Sequence, residues 1–149
     1  MMMMMMIATG LMGLSLLLPA SAVAQPDADR AAVERAALNY LEGFYEGSTD
    51  KIRSGVHSDV VKYGFAMEDG SYSGSPMSFD EMLAYATSVK ERGRQPEPGT
   101  VKRVELLDVL DQTAAVKVYA WWGSDYLLMA KYEGEWKIVN VLWQTPPTD

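Results

Sequence analysis

The sequence has no cysteine and a single histidine, His57. Without thiols there is no disulfide, no cysteine nucleophile and no thiolate metal site. One imidazole among scattered carboxylates does not make a closed metal shell, so no metal and no cofactor are expected. No Gly-x-Ser-x-Gly elbow is present, which speaks against a serine hydrolase of that type. Basic charge is scarce, 13 Lys and Arg against 20 Asp and Glu, for a net charge of −7. Such an acidic chain repels phosphates, and nucleic acid is not an expected partner.

Charge is also missing from the start of the chain, where no ionised side chain precedes Asp27. The apolar run Ile7 to Leu18, IATGLMGLSLLL, is too short for a membrane-spanning helix but suits a signal-peptide core. Pro19 follows, and Ala22-Val23-Ala24 supplies the small-x-small cleavage pattern. Residues 1–24 are expected to be a signal peptide and residues 25–149 one domain, exported to a periplasm or secreted, with no membrane association after cleavage. One feature departs from the pattern: Met1 to Met6 stand where a Lys or Arg is usual. A buried N-terminal helix or a misassigned start codon is the alternative. No cysteine follows the run, which excludes a lipoprotein anchor.

What is present reads as helices followed by strands. Val33, Ala37, Tyr40, Leu41 and Phe44 recur at helical spacing within Asp27 to Glu46, and Gly47 ends the pattern. Ser48 or Thr49 caps a short second helix that Gly55 terminates. Asp59 to Phe65 alternates as a strand, and Asp69-Gly70 marks a turn or loose hairpin. Ser78 and Glu81 form a capping box ahead of a third helix carrying Phe79, Met82, Leu83, Ala86 and Val89 on one face. From Thr100 onward four β runs, Val101–Leu110, Thr113–Trp122, Asp125–Tyr132 and Glu135–Trp143, are separated by hairpin-length gaps. The expected class is α+β: N-terminal helices packed in a strongly curved antiparallel sheet, a cone-like, cystatin-like roll whose mouth is a natural pocket.

Alternation assigns faces. The sides without lysine should meet the helices, because an unpaired buried charge is costly. This places Val116, Val118, Ala120 and Trp122 inward, together with Trp136, Ile138, Asn140 and Leu142. Tyr119, Trp121, Val139, Val141 and Trp143 are assigned outward, an apolar area that a second copy of the chain would cover. Strand Asp125–Tyr132 is ambiguous: two-residue turns put Leu127 and Met129 inward, whereas bulges put Tyr126 inward, a register that Lys131 favours.

Two stretches resemble a known family. NYLEGFYEGSTDKIRSGVHSDVVKYGF, Asn39 to Phe65, and DYLLMAKYEGEWKIVNVLW, Asp125 to Trp143, are similar to the opening and closing motifs of the putative lumazine-binding family, in the nuclear transport factor 2-like superfamily. The resemblance implies a curved sheet wrapping helices into a cone, commonly dimeric. Ser58 stands where many relatives have proline, which leaves the strand entry less rigid. Members of this superfold perform unrelated tasks, so the resemblance transfers no catalytic residue.

The leading expectation is an exported small-ligand-binding domain with a mostly apolar aromatic pocket. Its candidate contacts are Tyr40, His57, Tyr63, Trp122, Tyr126 and Asn140, its ligand a small hydrophobic or aromatic molecule, and its partner a second copy through the outer sheet face. The alternative is a small lyase, isomerase or hydrolase using His57 with an acidic residue. A ketosteroid-isomerase-like version takes Asp59 or Asp125 as base and Tyr40, Tyr63 or Tyr126 as oxyanion donor. Against a catalytic His57 stands a structural one, bonded to the backbone or to Asp59 at the helix-to-strand turn. A third possibility is a non-catalytic association module whose pocket is filled by side chains.

Overall fold

The computed structural model describes residues 25–147. The expected signal peptide, residues 1–24, lies outside the described residues. Among the described residues no helix is long and apolar enough to cross a membrane. Helices α1 (Gln25–Glu46) and α2 (Thr49–Gly55) precede strands β1 (Val56–Glu68) and β2 (Ser71–Pro76). Helix α3 (Phe79–Glu91) leads into β3 (Arg103–Val109), β4 (Thr113–Ala120), β5 (Gly123–Tyr132) and β6 (Glu135–Gln144).

The helices form where the spacing predicts. Val33, Ala37, Tyr40 and Leu41 of α1 are fully buried and Phe44 nearly so, because they share the stripe that meets the sheet. Ser48 caps α2 by accepting the Lys51 amide. In α3 the capping box is complete: Ser78 Oγ accepts the Glu81 amide at 3.2 Å and Glu81 Oε2 accepts the Ser78 amide at 2.6 Å. Such a cap is worth about 1 kcal/mol.

The strands form one curved, unclosed six-stranded sheet in the order β2-β1-β6-β5-β4-β3. The meander β3 to β6 is antiparallel throughout, but β1 joins it parallel to β6. The sheet is therefore mixed. Alternation of apolar residues looks the same in either strand direction, so it does not reveal this join.

Register decides which side chains meet the helices. The β4–β5 turn is Trp121-Trp122, since Ala120 pairs with Gly123; both tryptophans are turn residues and not strand residues. The β5–β6 turn is Glu133-Gly134, both at positive φ, a two-residue connection that matches the twist of a hairpin. With two-residue turns at both ends, Asp125, Leu127 and Met129 point inward and are essentially inaccessible. Tyr126 and Leu128 point outward, 49% and 51% exposed, which corrects the expected inward Tyr126. The lysine argument fails here because Lys131 is not unpaired: its Nζ lies 2.8 Å from Asp29 Oδ1 at the start of α1.

A bulge corrects a second assignment. Leu128 pairs with Asn140 but Met129 pairs with Ile138, leaving Val139 as an extra residue in β6. Trp136 and Ile138 are inward as expected, but beyond the bulge the phase reverses. Val141 and Trp143 turn inward, while Asn140 and Leu142 move to the outer face. On β1, Val60, Lys62 and Gly64 face in, and Val61, Tyr63 and Phe65 face out. Two inner rows thus run across the sheet, Lys62–Val141–Leu127–Val116–Leu106 and Gly64–Trp143–Asp125–Val118–Val104.

Candidate functional site

These two rows bring Lys62 and Asp125 to adjacent positions on the inner face, one strand apart on either side of β6. Both are buried, Lys62 7% exposed and Asp125 fully enclosed. Tyr40 reaches them from α1. The Lys62 amine donates to the Tyr40 hydroxyl at 2.6 Å, and that hydroxyl donates to Asp125 Oδ2 at 2.5 Å. The other carboxyl oxygen, Oδ1, accepts the Trp122 indole N–H at 2.6 Å. A charge-assisted chain Lys62–Tyr40–Asp125–Trp122 therefore crosses the core, with each buried polar group partnered.

The turn supplies Trp122. Gly123 lies against the end of β6, where a Cβ would stand 2.0 Å from the Gln144 carbonyl oxygen; only glycine permits this approach. The turn is thereby held against β6, and the Trp122 indole reaches down to Asp125 while its ring meets Phe44 and Tyr45 edge-on at 5.6 and 5.9 Å. Trp143 covers Gly64 on the opposite side.

Between these groups lies a cavity of about 280 Å³, lined by Phe44, Lys62, Met77, Tyr85, Trp121, Trp122, Trp143 and Thr145. Its wall is almost wholly aromatic or aliphatic, and Lys62 is its charged group. Trp121, 51% exposed, stands at the rim. The amine lies 4.9 Å from the Phe44 ring centre, 5.0 Å from Tyr40 and 5.9 Å from Trp143, so ring faces as well as the Tyr40 oxygen receive its charge. A second depression, about 440 Å³, is formed by Tyr45, Glu46 and the loop from Gln95 to Lys102; the buried Tyr45 hydroxyl is taken up by the Val101 carbonyl.

Burial sets the proton affinities. It lowers the Lys62 amine from 10.5 to about 8, a fall that nearby Asp125 partly opposes. It raises the Asp125 carboxyl, opposed by Lys62 and by the bonds from Tyr40 and Trp122. It also raises Tyr40, which the Asp125 charge pushes in the same direction. Burial thus favours the neutral amine, as expected when a charge loses its water. The site holds an available amine next to a phenol and a carboxyl that each retain a proton more readily than usual.

Of the residues singled out from sequence, Trp122 lines the cavity. Tyr40 lies beneath it and connects Lys62 to Asp125. Tyr63, Tyr126 and Asn140 are on the opposite face of the sheet, for the register reasons given above. His57 is not in the lining: its Nδ1 accepts the Asp59 amide at 3.1 Å and its ring stacks on Tyr132 at 4.5 Å. Lys62 escaped the sequence reading because a lysine in a strand reads as solvent-facing. The alternation held no signal of it, since Val61, Tyr63 and Phe65 read as the apolar inner face and are in fact exposed. Among the described residues no cluster of three or more His, Cys, Asp or Glu is arranged to hold a metal ion.

Comparison with known proteins agrees with this architecture. Solved NTF2-like proteins of unknown function align over most of the chain. One from Methylobacillus flagellatus is 18% identical with a TM-score of 0.59, covering 80% of this chain and 93% of its own. One from Shewanella baltica is 19% identical with a TM-score of 0.56, covering 82% and 97%. An NTF2-like protein with a cystatin-like fold from Novosphingobium aromaticivorans is 9% identical with a TM-score of 0.56, covering 82% and 84%. At these identities the likeness establishes the fold alone. A curated protein, Aldolase FrzH of Cladobotryum sp, is 27% identical over 125 residues, 78% of this chain and 90% of its own. The profile described as putative lumazine-binding matches residues 28–144, and the chain belongs to that family, within the NTF2-like superfamily.

Proposed function

We propose that the aromatic cavity binds a small, flat, largely apolar molecule that presents an oxygen acceptor to Lys62. The observation that carries this is one buried lysine, 7% exposed, in the lining of a cavity walled by Phe44, Tyr85, Trp122 and Trp143. Aromatic walls favour a ring system, and one convergent polar group fixes its orientation. Lumazine, which the family description names, is a flat fused-ring heterocycle with carbonyl oxygens and belongs to this class. The open volume argues against an association module with a cone packed solid. Titration with lumazine and with 2-naphthalenemethanol, followed by tryptophan fluorescence and thermal shift, tests the reading. Saturable quenching with a raised melting temperature is expected; no response to either compound removes it.

A second reading, an enzyme acting on a carbonyl compound in the same cavity, is favoured by the Lys62 amine itself, held near 8 and bonded to Tyr40 and through it to Asp125. The relative described as an aldolase supports it. On this reading the ionisable groups are Lys62, Tyr40 and Asp125 and not His57.

We further read residues 1–24 as an export signal and the outer sheet face as a homodimer contact. Supporting the latter, Val61, Leu128, Tyr63, Leu142, Tyr126 and Phe65 form adjoining rows of exposed apolar side chains across β1, β6 and β5.

A further inference from the structure

We propose that Lys62 is a nucleophile that forms an imine with an aldehyde or ketone held in the aromatic cavity. This deepens the ligand-pocket reading and rests on it. Lys62 is enclosed, its amine lies against the rings of Phe44, Tyr40 and Trp143, and its oxygen partner is a phenol in place of a carboxylate. That setting leaves a nitrogen lone pair available, as in amines activated by an apolar pocket.

The neighbouring groups complete the proton balance. The neutral amine adds to the carbonyl carbon, forming a C–N bond as the carbonyl π pair moves to oxygen. The oxygen takes one proton from the nitrogen, giving a neutral carbinolamine. This oxygen is attached to the carbon bearing Nζ, and the Tyr40 hydroxyl is 2.6 Å from Nζ. Tyr40 passes a second proton to it and is resupplied by the Asp125 carboxyl, 2.5 Å away. The C–O bond breaks, water leaves, and a cationic iminium on Lys62 stands near the Asp125 carboxylate. One carbonyl, one amine and one carboxylic acid become one iminium, one carboxylate and one water.

Trp122 is a positioning residue in this scheme. Its indole holds Asp125 Oδ1 at 2.6 Å, leaving Oδ2 to face Tyr40. Aldehydes and ketones on a flat ring system are the substrate class, because the aromatic wall takes the ring and the amine meets the carbonyl.

The test uses 2-naphthaldehyde as probe and sodium cyanoborohydride to reduce any imine, with peptide mass mapping of the intact protein. The expected result is a naphthylmethyl adduct on Lys62 in preference to the exposed lysines. Its yield should rise with pH through about 8. Lys62→Arg should give no adduct at position 62 while the exposed lysines react as before. Tyr40→Phe should slow the adduct at Lys62 at least tenfold relative to the adducts on exposed lysines. Adducts spread over surface lysines with none at Lys62, while 2-naphthalenemethanol still quenches the tryptophans, overturn the imine and leave the pocket standing. Absence of quenching as well overturns both. Lys62→Met, with circular dichroism as a fold control, gives a second variant in which the adduct must vanish.

Discussion

A Cβ added to Gly64 would stand 1.8 Å from Nε1 of Trp143. The indole lies directly on the backbone of β1, and this contact makes one wall of the cavity while holding a ring face toward Lys62.

Gly64→Ala must therefore displace a rigid ring that has no flexible end to yield. Overpacking of this kind costs about 1–3 kcal/mol. The expected outcome is a lower urea midpoint together with weaker quenching by cavity ligands. Stability and binding both unchanged would show that Trp143 has another resting place.

Lys62 predicts a pH signature. Its folded value is about 8, below the 10.5 of an exposed lysine. Below pH 8 both folded and unfolded chains carry the proton, and the cost of burying it is fully present. Between about 8 and 10.5 the unfolded chain holds a proton that the folded chain has released, so stability rises with pH across that window. Lys62→Met should remove this rise, read as the difference between the two proteins in urea unfolding at pH 7.5 and 9.5. Parallel curves would contradict the placement.

Asp125→Asn replaces two acceptor oxygens by one acceptor and one donor. Either the Trp122 N–H or the Tyr40 O–H then loses its acceptor in the core, at about 1–3 kcal/mol. Because Asp125 opposes the fall of Lys62, the amine should drop further below 8. The midpoint of the Lys62-dependent stability rise, or of adduct formation, reports this; a midpoint that stays or moves upward counts against the coupling.

The outer face is tested by Leu128→Lys. Leu128 is 51% exposed, between Asn140 and Ala115 on the neighbouring strands, and a charge there should split a dimer built on this face. Sedimentation of the wild type as a dimer and of the variant as a monomer is expected. Identical profiles would place the contact elsewhere.

How much of this was legible in the sequence varies by element. Helices are announced by local signals, and the stripe from Val33 to Phe44 and the Ser78–Glu81 box appear as read. Face assignments depend on parity, and parity is lost at any irregularity. Within β4 there is none between Ala114 and Ala120, and its inner residues were assigned correctly. Beyond Val139 the count is off by one, which exchanged Asn140 for Val141 and Leu142 for Trp143. Lys131, which favoured the wrong register, misled for a different reason, and Lys62 was not singled out at all. Lys131 meets Asp29 and Lys62 meets Tyr40, partners 102 and 22 residues away in the chain. Long-range pairing that neutralises a buried charge leaves no trace in strand alternation. Tyr40 and Asp125 were both in view as an oxyanion donor and a base, and it is Lys62, between Val61 and Tyr63, that joins them.

The extra residue in β6 has a consequence for how this cavity can change over time. Substitutions alter what the wall is made of, one side chain after another. They do not exchange the wall with the outer surface, because each strand position keeps its side. Deleting Val139 would not do so either: Leu128 already pairs with Asn140 and Met129 with Ile138, so removing the unpaired residue leaves a regular ladder in which Val141 and Trp143 stay inward. Relatives shorter by this one residue are thus expected to keep the cover over Gly64 and to lose only the local bend of β6.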